Sequence, residues 1–92
     1  MATDATPTGG PVAAWRRARG WTRRDLAQAA GCGYATTANA ELGVPAGVPL
    51  AVLALAERLD GPDVADGLRR DYDAWRRALG AALLAVAGGR TA

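Results

Sequence analysis

Residues 21–43 read W-T-R-R-D-L-A-Q-A-A-G-C-G-Y-A-T-T-A-N-A-E-L-G and predict two short helices joined by a tight turn. Thr22 can cap the first of these helices, because its hydroxyl can accept a hydrogen bond from a free N–H group of the first turn. Asp25, three residues later, can bond back to the backbone of Thr22. Gly31 can adopt the left-handed backbone conformation that ends a helix, and the second helix is expected over residues 33–42.

These two helices and their glycine turn have the plan of a helix-turn-helix motif. The chain contains, in order, motifs of the form R-x-x-R-G-x-T, L-A-x-x-A-G, E-x-G and a final L-x-x-L-A-x-x-L-like repeat. Matching all four to the chain requires no insertion or deletion. Their residues are Arg16, Arg19, Gly20, Thr22, Leu26, Ala27, Ala30, Gly31, Glu41, Gly43, Val52, Leu55, Ala56 and Leu59. In this order they resemble the phage repressor and Cro (XRE) family. The resemblance covers about half of the chain and implies an all-α, five-helix, repressor-like helix-turn-helix domain with a long C-terminal helix.

The 92 residues allow one domain, which composition divides into four segments. Residues 1–10 are small and polar and contain Pro and Gly, so we expect a disordered arm. Residues 11–61 form the predicted helix-turn-helix domain, whose first helix spans 11–19. Its fourth helix, after a Pro- and Gly-rich loop at 43–49, is almost wholly apolar and is expected to be buried. Residues 62–88 form the C-terminal helix, and 89–92 a disordered tail.

An apolar stripe runs along the predicted C-terminal helix at intervals of three or four residues, which is typical of a coiled coil. Two arrangements would cover it: packing on the first and fourth helices of the same chain, or sharing between two chains. The apolar run 81–87 extends beyond the reach of so small a core, so we favour the shared arrangement. The predicted dimerisation residues are Leu68, Tyr72, Trp75, Leu79, Leu83 and Val86.

The resemblance implies that the third helix enters the major groove of DNA and that the second lies across the backbone. The residues it assigns to DNA contact are Arg16, Arg17, Arg23, Arg24, Tyr34, Ala35, Thr36 and Asn39. Thr37 and Ala40 are expected to face the core, and Arg19 either contacts DNA or pairs with Glu41. The third helix contains no Arg or Lys. This indicates low base specificity, dependence on dimer avidity, or a scaffold used for another purpose.

The positive charge lies in the first half of the chain. Five arginines against Asp4 and Asp25 give +3 over residues 1–40, whereas six arginines against seven acids give −1 over residues 41–92. This distribution suits a domain that binds a polyanion, although it is also compatible with an ordinary solvated surface.

Several classes of protein are disfavoured by the composition. With one cysteine and no histidine, we expect no internal disulfide, no zinc site and no cofactor. The sequence shows no nucleophile paired with a base and no pair of carboxylates, so we do not expect an enzyme. We expect Trp15 and Trp21 in the core, and Cys32 as a buried, inert thiol. No signal peptide or membrane span is predicted, which makes the cytoplasm the default location.

The sequence therefore predicts a DNA-binding transcriptional regulator, acting as a homodimer that represses from a palindromic operator in double-stranded DNA. The alternative is a protein-interaction module on the same scaffold, which would bind another regulator or protein without DNA.

Overall fold

The computed structural model describes the backbone of residues 9–91 and the side chains of residues 9–82. Five helices occur in this part of the chain, and it contains no strand, so the predicted all-α, five-helix class is confirmed. The helices are α1 (Gly10–Ala18), α2 (Arg23–Ala30), α3 (Tyr34–Leu42), α4 (Leu50–Asp60) and α5 (Pro62–Thr91).

The local signals around α2 are confirmed in detail. The Thr22 hydroxyl accepts a hydrogen bond from the Asp25 amide at 3.1 Å, and the Asp25 carboxylate accepts one from the Thr22 amide at 2.9 Å. Gly31 ends the helix with a φ of 72°. Only Gly31, Cys32 and Gly33 separate α2 from α3, so the two helices form a tightly connected pair.

All five helices contribute to one hydrophobic core. Its buried members are Val12, Leu26, Ala40, Val48, Val52, Leu55, Ala56, Ala65, Leu68 and Tyr72. Trp15 and Trp21 pack against the edge of this core, with their rings edge to face at 6.0 Å. Thr37 and Ala40 are fully buried, as predicted, because they lie on the side of α3 that faces α1 and α2.

Helix α4 is less buried than the apolar sequence predicts. It packs on α2 and α5, and Val52, Leu55 and Ala56 are buried there. Leu50, in contrast, is 83 % exposed, and Leu59 is exposed as well. Because its neighbours cover one side only, the other side of this apolar helix faces solvent.

The helical region extends past both of its predicted ends. Gly10, which the sequence assigns to the arm, already belongs to α1, and α5 continues to Thr91 through the predicted tail. Glycines at 80, 88 and 89 weaken a helix but do not end it without a capping geometry or a following proline. Residues 1–8 and 92, which hold the rest of the predicted arm and tail, lie outside the described residues.

The first half of α5 packs within its own chain, against α1 and α4. Leu68 and Tyr72 are buried there, and the Tyr72 hydroxyl donates a hydrogen bond to the Pro45 carbonyl oxygen at 2.9 Å. The assignment of Leu68 and Tyr72 to a dimer interface is therefore wrong, because both side chains are already covered in the monomer. Leu79 is 38 % exposed, and the side chains of Leu83 and Val86 lie outside the described residues.

Trp75 closes the core where three helices meet. A Cβ atom on Gly10 would collide with the Trp75 ring, and one on Gly43 would lie 3.3 Å from it. The backbone φ is +64° at Gly10 and +77° at Gly43, a region that other residues rarely adopt. Trp75 therefore packs α5 against the start of α1 and the end of α3, and this packing is possible because Gly10 and Gly43 have no side chains.

Replacing Gly10 with alanine should destabilise the fold by about 2 kcal/mol, because the new methyl group overlaps Trp75 and the backbone is left-handed there. Gly67→Ala is the matched control. No atom lies within 4 Å of a Cβ at this position in α5, and alanine should stabilise the helix by up to about 1 kcal/mol. Urea unfolding of both variants measures the difference, and equal stability of the two would contradict the packing described for Trp75.

Candidate nucleic-acid interface

A buried carboxylate links the first three helices. Glu41, in α3, is 1 % exposed and accepts hydrogen bonds from two arginines. Arg16 of α1 donates from Nε at 2.6 Å and from an amino group at 3.0 Å, and Arg23 of α2 donates from Nε at 2.9 Å. Burial alone raises the pKa of Glu41, but the bonds from Arg16 and Arg23 outweigh burial and hold the pKa below its ordinary value.

Arg16 is a structural residue. Its side chain is buried, and besides the two bonds to Glu41 it donates to the carbonyl oxygen of Trp21 at 2.8 Å. Since Nε and both amino groups are bonded inside the protein, Arg16 is withdrawn from the predicted DNA contacts. Glu41 is paired with Arg16 and Arg23, so the alternative that pairs Arg19 with Glu41 is corrected.

Arg19 instead joins α1 to α4. Its guanidinium bonds to the Asp60 carboxylate at 3.0 Å and lies over the rings of Trp15 and Trp21, at 5.4 and 5.0 Å from their centroids. The Trp15 indole also donates to Asp60, at 2.8 Å. This indole bond, followed by Arg19, holds the pKa of Asp60 below its usual range. Arg19 is thus engaged by its own chain.

Two other predicted contact residues come together with Tyr34 at one edge of the α2–α3 pair. Arg23 and Arg24 are the first two residues of α2, and Tyr34 is the first residue of α3. With Arg16 and Thr22 they line an open depression. The bond to Glu41, followed by the interaction with Tyr34, raises the pKa of Arg23. Because the helix N-termini carry partial positive charge, this edge of the molecule favours an anion.

The outward face of α3 continues from this edge. Tyr34 is 52 % exposed, and Ala35, Thr36 and Asn39 are also exposed, while the opposite side of the helix is buried. Thr36 and Asn39 border a second depression, formed with Val44, Pro45 and Pro49 of the loop that follows. The predicted base-facing residues therefore share one accessible surface. Arg17 is exposed in the last turn of α1.

The stretch of chain that forms this surface has almost no charge of its own, although Arg76 of α5 donates a hydrogen bond to the Gly43 carbonyl oxygen at 3.0 Å. From residue 26 to residue 56 the sequence contains a single charged residue, Glu41, and that residue is buried. Leu42, Val44 and Leu50 are exposed large apolar side chains within the same stretch. The family motifs do not indicate this feature, although the absence of charge between Asp25 and Glu57, apart from Glu41, can be read directly from the sequence.

The described residues include no group that could bind a metal and no helix that could cross a membrane. Among the described side chains, no three His, Cys, Asp or Glu residues come close enough to form a metal-binding group. No helix in the described part of the chain combines the length and apolar character that a bilayer crossing needs. Cys32 is half-buried, with its sulfur 3.7 Å from the Thr37 hydroxyl, rather than fully buried as expected.

Comparison with known proteins finds no matching protein family, no matching curated protein and no matching solved structure. The resemblance to the phage repressor and Cro family consequently rests on the motif residues of the sequence and stays a prediction.

Glu41→Gln should destabilise the protein by about 3 kcal/mol at pH 7, because two arginines lose their buried counter-charge. The pKa of Glu41 is lower in the folded state than in the unfolded chain. Its stabilising effect is therefore complete above the unfolded value and is lost as the pH falls through the folded value. Urea unfolding at several pH values should show a weaker acid dependence in Glu41→Gln than in the wild type.

Glu57→Gln is the matched control for this experiment, since Glu57 is exposed on α4. It should leave both the stability at neutral pH and the acid dependence close to those of the wild type. If the two variants behaved alike, the Glu41 carboxylate would not link the helices as described.

Proposed function

We propose that the chain is a DNA-binding transcriptional regulator that contacts double-stranded DNA through α2 and α3. The observation that carries this proposal is the exposed cluster of Arg23, Arg24 and Tyr34 at the N-terminal ends of the two helices. Arginine and tyrosine donors of this kind fix a protein on DNA through phosphate contacts, while base edges are read elsewhere.

The exposed face of α3 would provide the base contacts. Asn39 can pair with an adenine through one donor and one acceptor, and Thr36 can touch the methyl group of a thymine. Ala35 allows close approach but offers no hydrogen bond. With so few polar side chains, one copy of this face reads little sequence, so a specific operator requires two copies of the domain.

A homodimer would supply the second copy, and we propose that it forms through the end of α5. Leu79 is 38 % exposed although its side chain lies against Gly43, and Ala82, on the same side of the helix, is exposed beyond it. Of the predicted dimer residues, Leu79 remains compatible with this placement, and Leu83 and Val86 stay predictions because their side chains lie outside the described residues. Trp75 is instead packed against Gly10 and Gly43 of its own chain. Two third helices related by a two-fold axis, with half-sites one helical turn apart, would suit repression from a palindromic operator.

The exposed apolar side chains of this nearly uncharged stretch favour a second candidate function, a protein-interaction module. Leu42, Val44 and Leu50 are exposed and have no charged neighbour in sequence between residues 26 and 56 other than the buried Glu41. Such a surface is typical of a protein contact, because duplex DNA presents a dense row of phosphate charges. Under this candidate, Arg23 and Arg24 would not matter for activity.

The DNA proposal predicts the behaviour of the variant Arg23→Gln/Arg24→Gln. The wild type should bind a pool of random duplexes, and its affinity should fall with salt. Removing two phosphate contacts from each subunit should lower the affinity about tenfold or more. The slope of the logarithm of the binding constant against the logarithm of the salt concentration should fall by about one unit per contact. Fluorescence anisotropy at several salt concentrations measures both quantities.

Arg69→Gln/Arg70→Gln is the matched control, because these two arginines lie on α5, where Asp66 pairs with both. This control should bind DNA like the wild type. Failure of the wild type to bind any duplex at low salt would overturn the DNA proposal and favour the protein-interaction module.

The dimer proposal is tested by placing a charge on the stripe at the end of α5. Ala82→Asp should shift the protein toward the monomer in sedimentation equilibrium, because Ala82 lies on the same side of the helix as Leu79. Ala81→Asp introduces the same charge on the opposite side and should leave the association unchanged. Both alanines are exposed, so neither variant disturbs the core. A monomeric wild type would contradict the proposal.

A further inference from the structure

Arg23 combines two properties that Arg16 and Arg24 do not share. Its Nε atom is held by the buried Glu41 carboxylate at 2.9 Å, yet its side chain is 38 % exposed. Arg16 is held but buried, whereas Arg24 is exposed and shows no bond among the described residues. Arg23 is therefore both oriented by the fold and accessible from solvent.

The charges around Glu41 leave an excess at this position. Arg16 and Arg23 together carry two positive charges, and Glu41 carries one negative charge, so one positive charge remains. Glu41 is buried and does not face solvent. The uncompensated charge is consequently presented on the side of Arg23, next to Arg24 and Tyr34 in the open depression.

The geometry of a guanidinium decides what Arg23 can offer there. With Nε–H donated to Glu41, the two terminal amino groups form the outer edge of the planar group. This edge matches two oxygens of one phosphate and can bond to both at once. A lysine has one nitrogen and cannot both bond to Glu41 and present such a fork.

We propose that Glu41 is a positioning residue that fixes Arg23 for end-on, two-point contact with a backbone phosphodiester of DNA. The inference rests on the proposed DNA-binding function and specifies the ligand group and its orientation at that surface. Arg24, in contrast, contributes a charge without a fixed direction, and the Tyr34 side chain, which interacts with Arg23, lines the same depression.

The decisive experiment compares lysine and glutamine at positions 23 and 24 by DNA affinity. Arg23→Lys keeps the charge but should bind about tenfold more weakly than the wild type, close to Arg23→Gln, because the fork is lost. Arg24→Lys should lose much less than Arg24→Gln. Arg58→Lys, on the exposed end of α4, reports on any general effect of the exchange. Wild-type affinity in Arg23→Lys would overturn the inference while leaving DNA binding intact.

A second measurement does not depend on DNA. In the ¹⁵N-labelled wild type, the Arg23 Nε–H group should give a side-chain NMR signal that exchanges more slowly with water than that of Arg58. Inorganic phosphate should shift the Arg23 signal in the wild type, and the shift should be lost in folded Glu41→Gln. If Arg23 responds to phosphate but no duplex binds, the phosphate site stands and the DNA function falls. If Arg23 exchanges as fast as Arg58, the positioning role is overturned whatever the fold of Glu41→Gln.

Discussion

The hydrogen-bonded carboxylate of Glu41 is the interaction on which the arrangement of the first three helices depends. A buried carboxylate is costly unless its oxygens are satisfied, and here three N–H groups from two arginines satisfy it. Because the donors come from α1 and α2 and the acceptor from α3, the three helices are constrained together. Thr37 and Ala40 are buried on the same helix as Glu41, so this side of α3 combines a polar contact with small core side chains.

Pairing within the fold reduces the positive charge that the first half of the chain presents to solvent. Arg16 pairs with Glu41, and Arg19 pairs with Asp60 from the second half. Two of the five arginines are thereby compensated within the fold, and the surface charge is smaller and more localised than the sequence count implies. Arg23 and Arg24 lie at the start of α2, next to a face of α3 without charge. The arginines at the start of α2 suit contact with phosphate, whereas the uncharged face of α3 beside them is also compatible with contact to a protein.

Local rules predicted most of the fold, and long-range geometry accounts for the errors. The cap formed by Thr22 and Asp25 and the end of α2 at Gly31 depend on residues within one turn, and both are confirmed. Which arginine meets Glu41 depends on how α1 is rotated against α3, which no local pattern encodes. The burial of Leu68 and Tyr72 likewise depends on which neighbours reach α5. For the candidate site, sequence identified the exposed residues of α3 but not the role of Glu41 in holding Arg23.

Helix α5 is much longer than the other helices, and its length limits how much of it the rest of the chain can cover. At 30 residues it is about 45 Å long, whereas α1 to α4 have 8 to 11 residues and reach about 12 to 17 Å each. Its first half is covered by α1 and α4, and Trp75 and Leu79 lie against Gly43 at the end of α3. The sequence after Leu79 is rich in alanine and leucine and contains no charge before Arg90. An apolar helix end of this length is stabilised mainly by packing rather than by helix propensity. Contact with a second copy would supply that packing and would also provide the two reading helices that a palindromic operator requires.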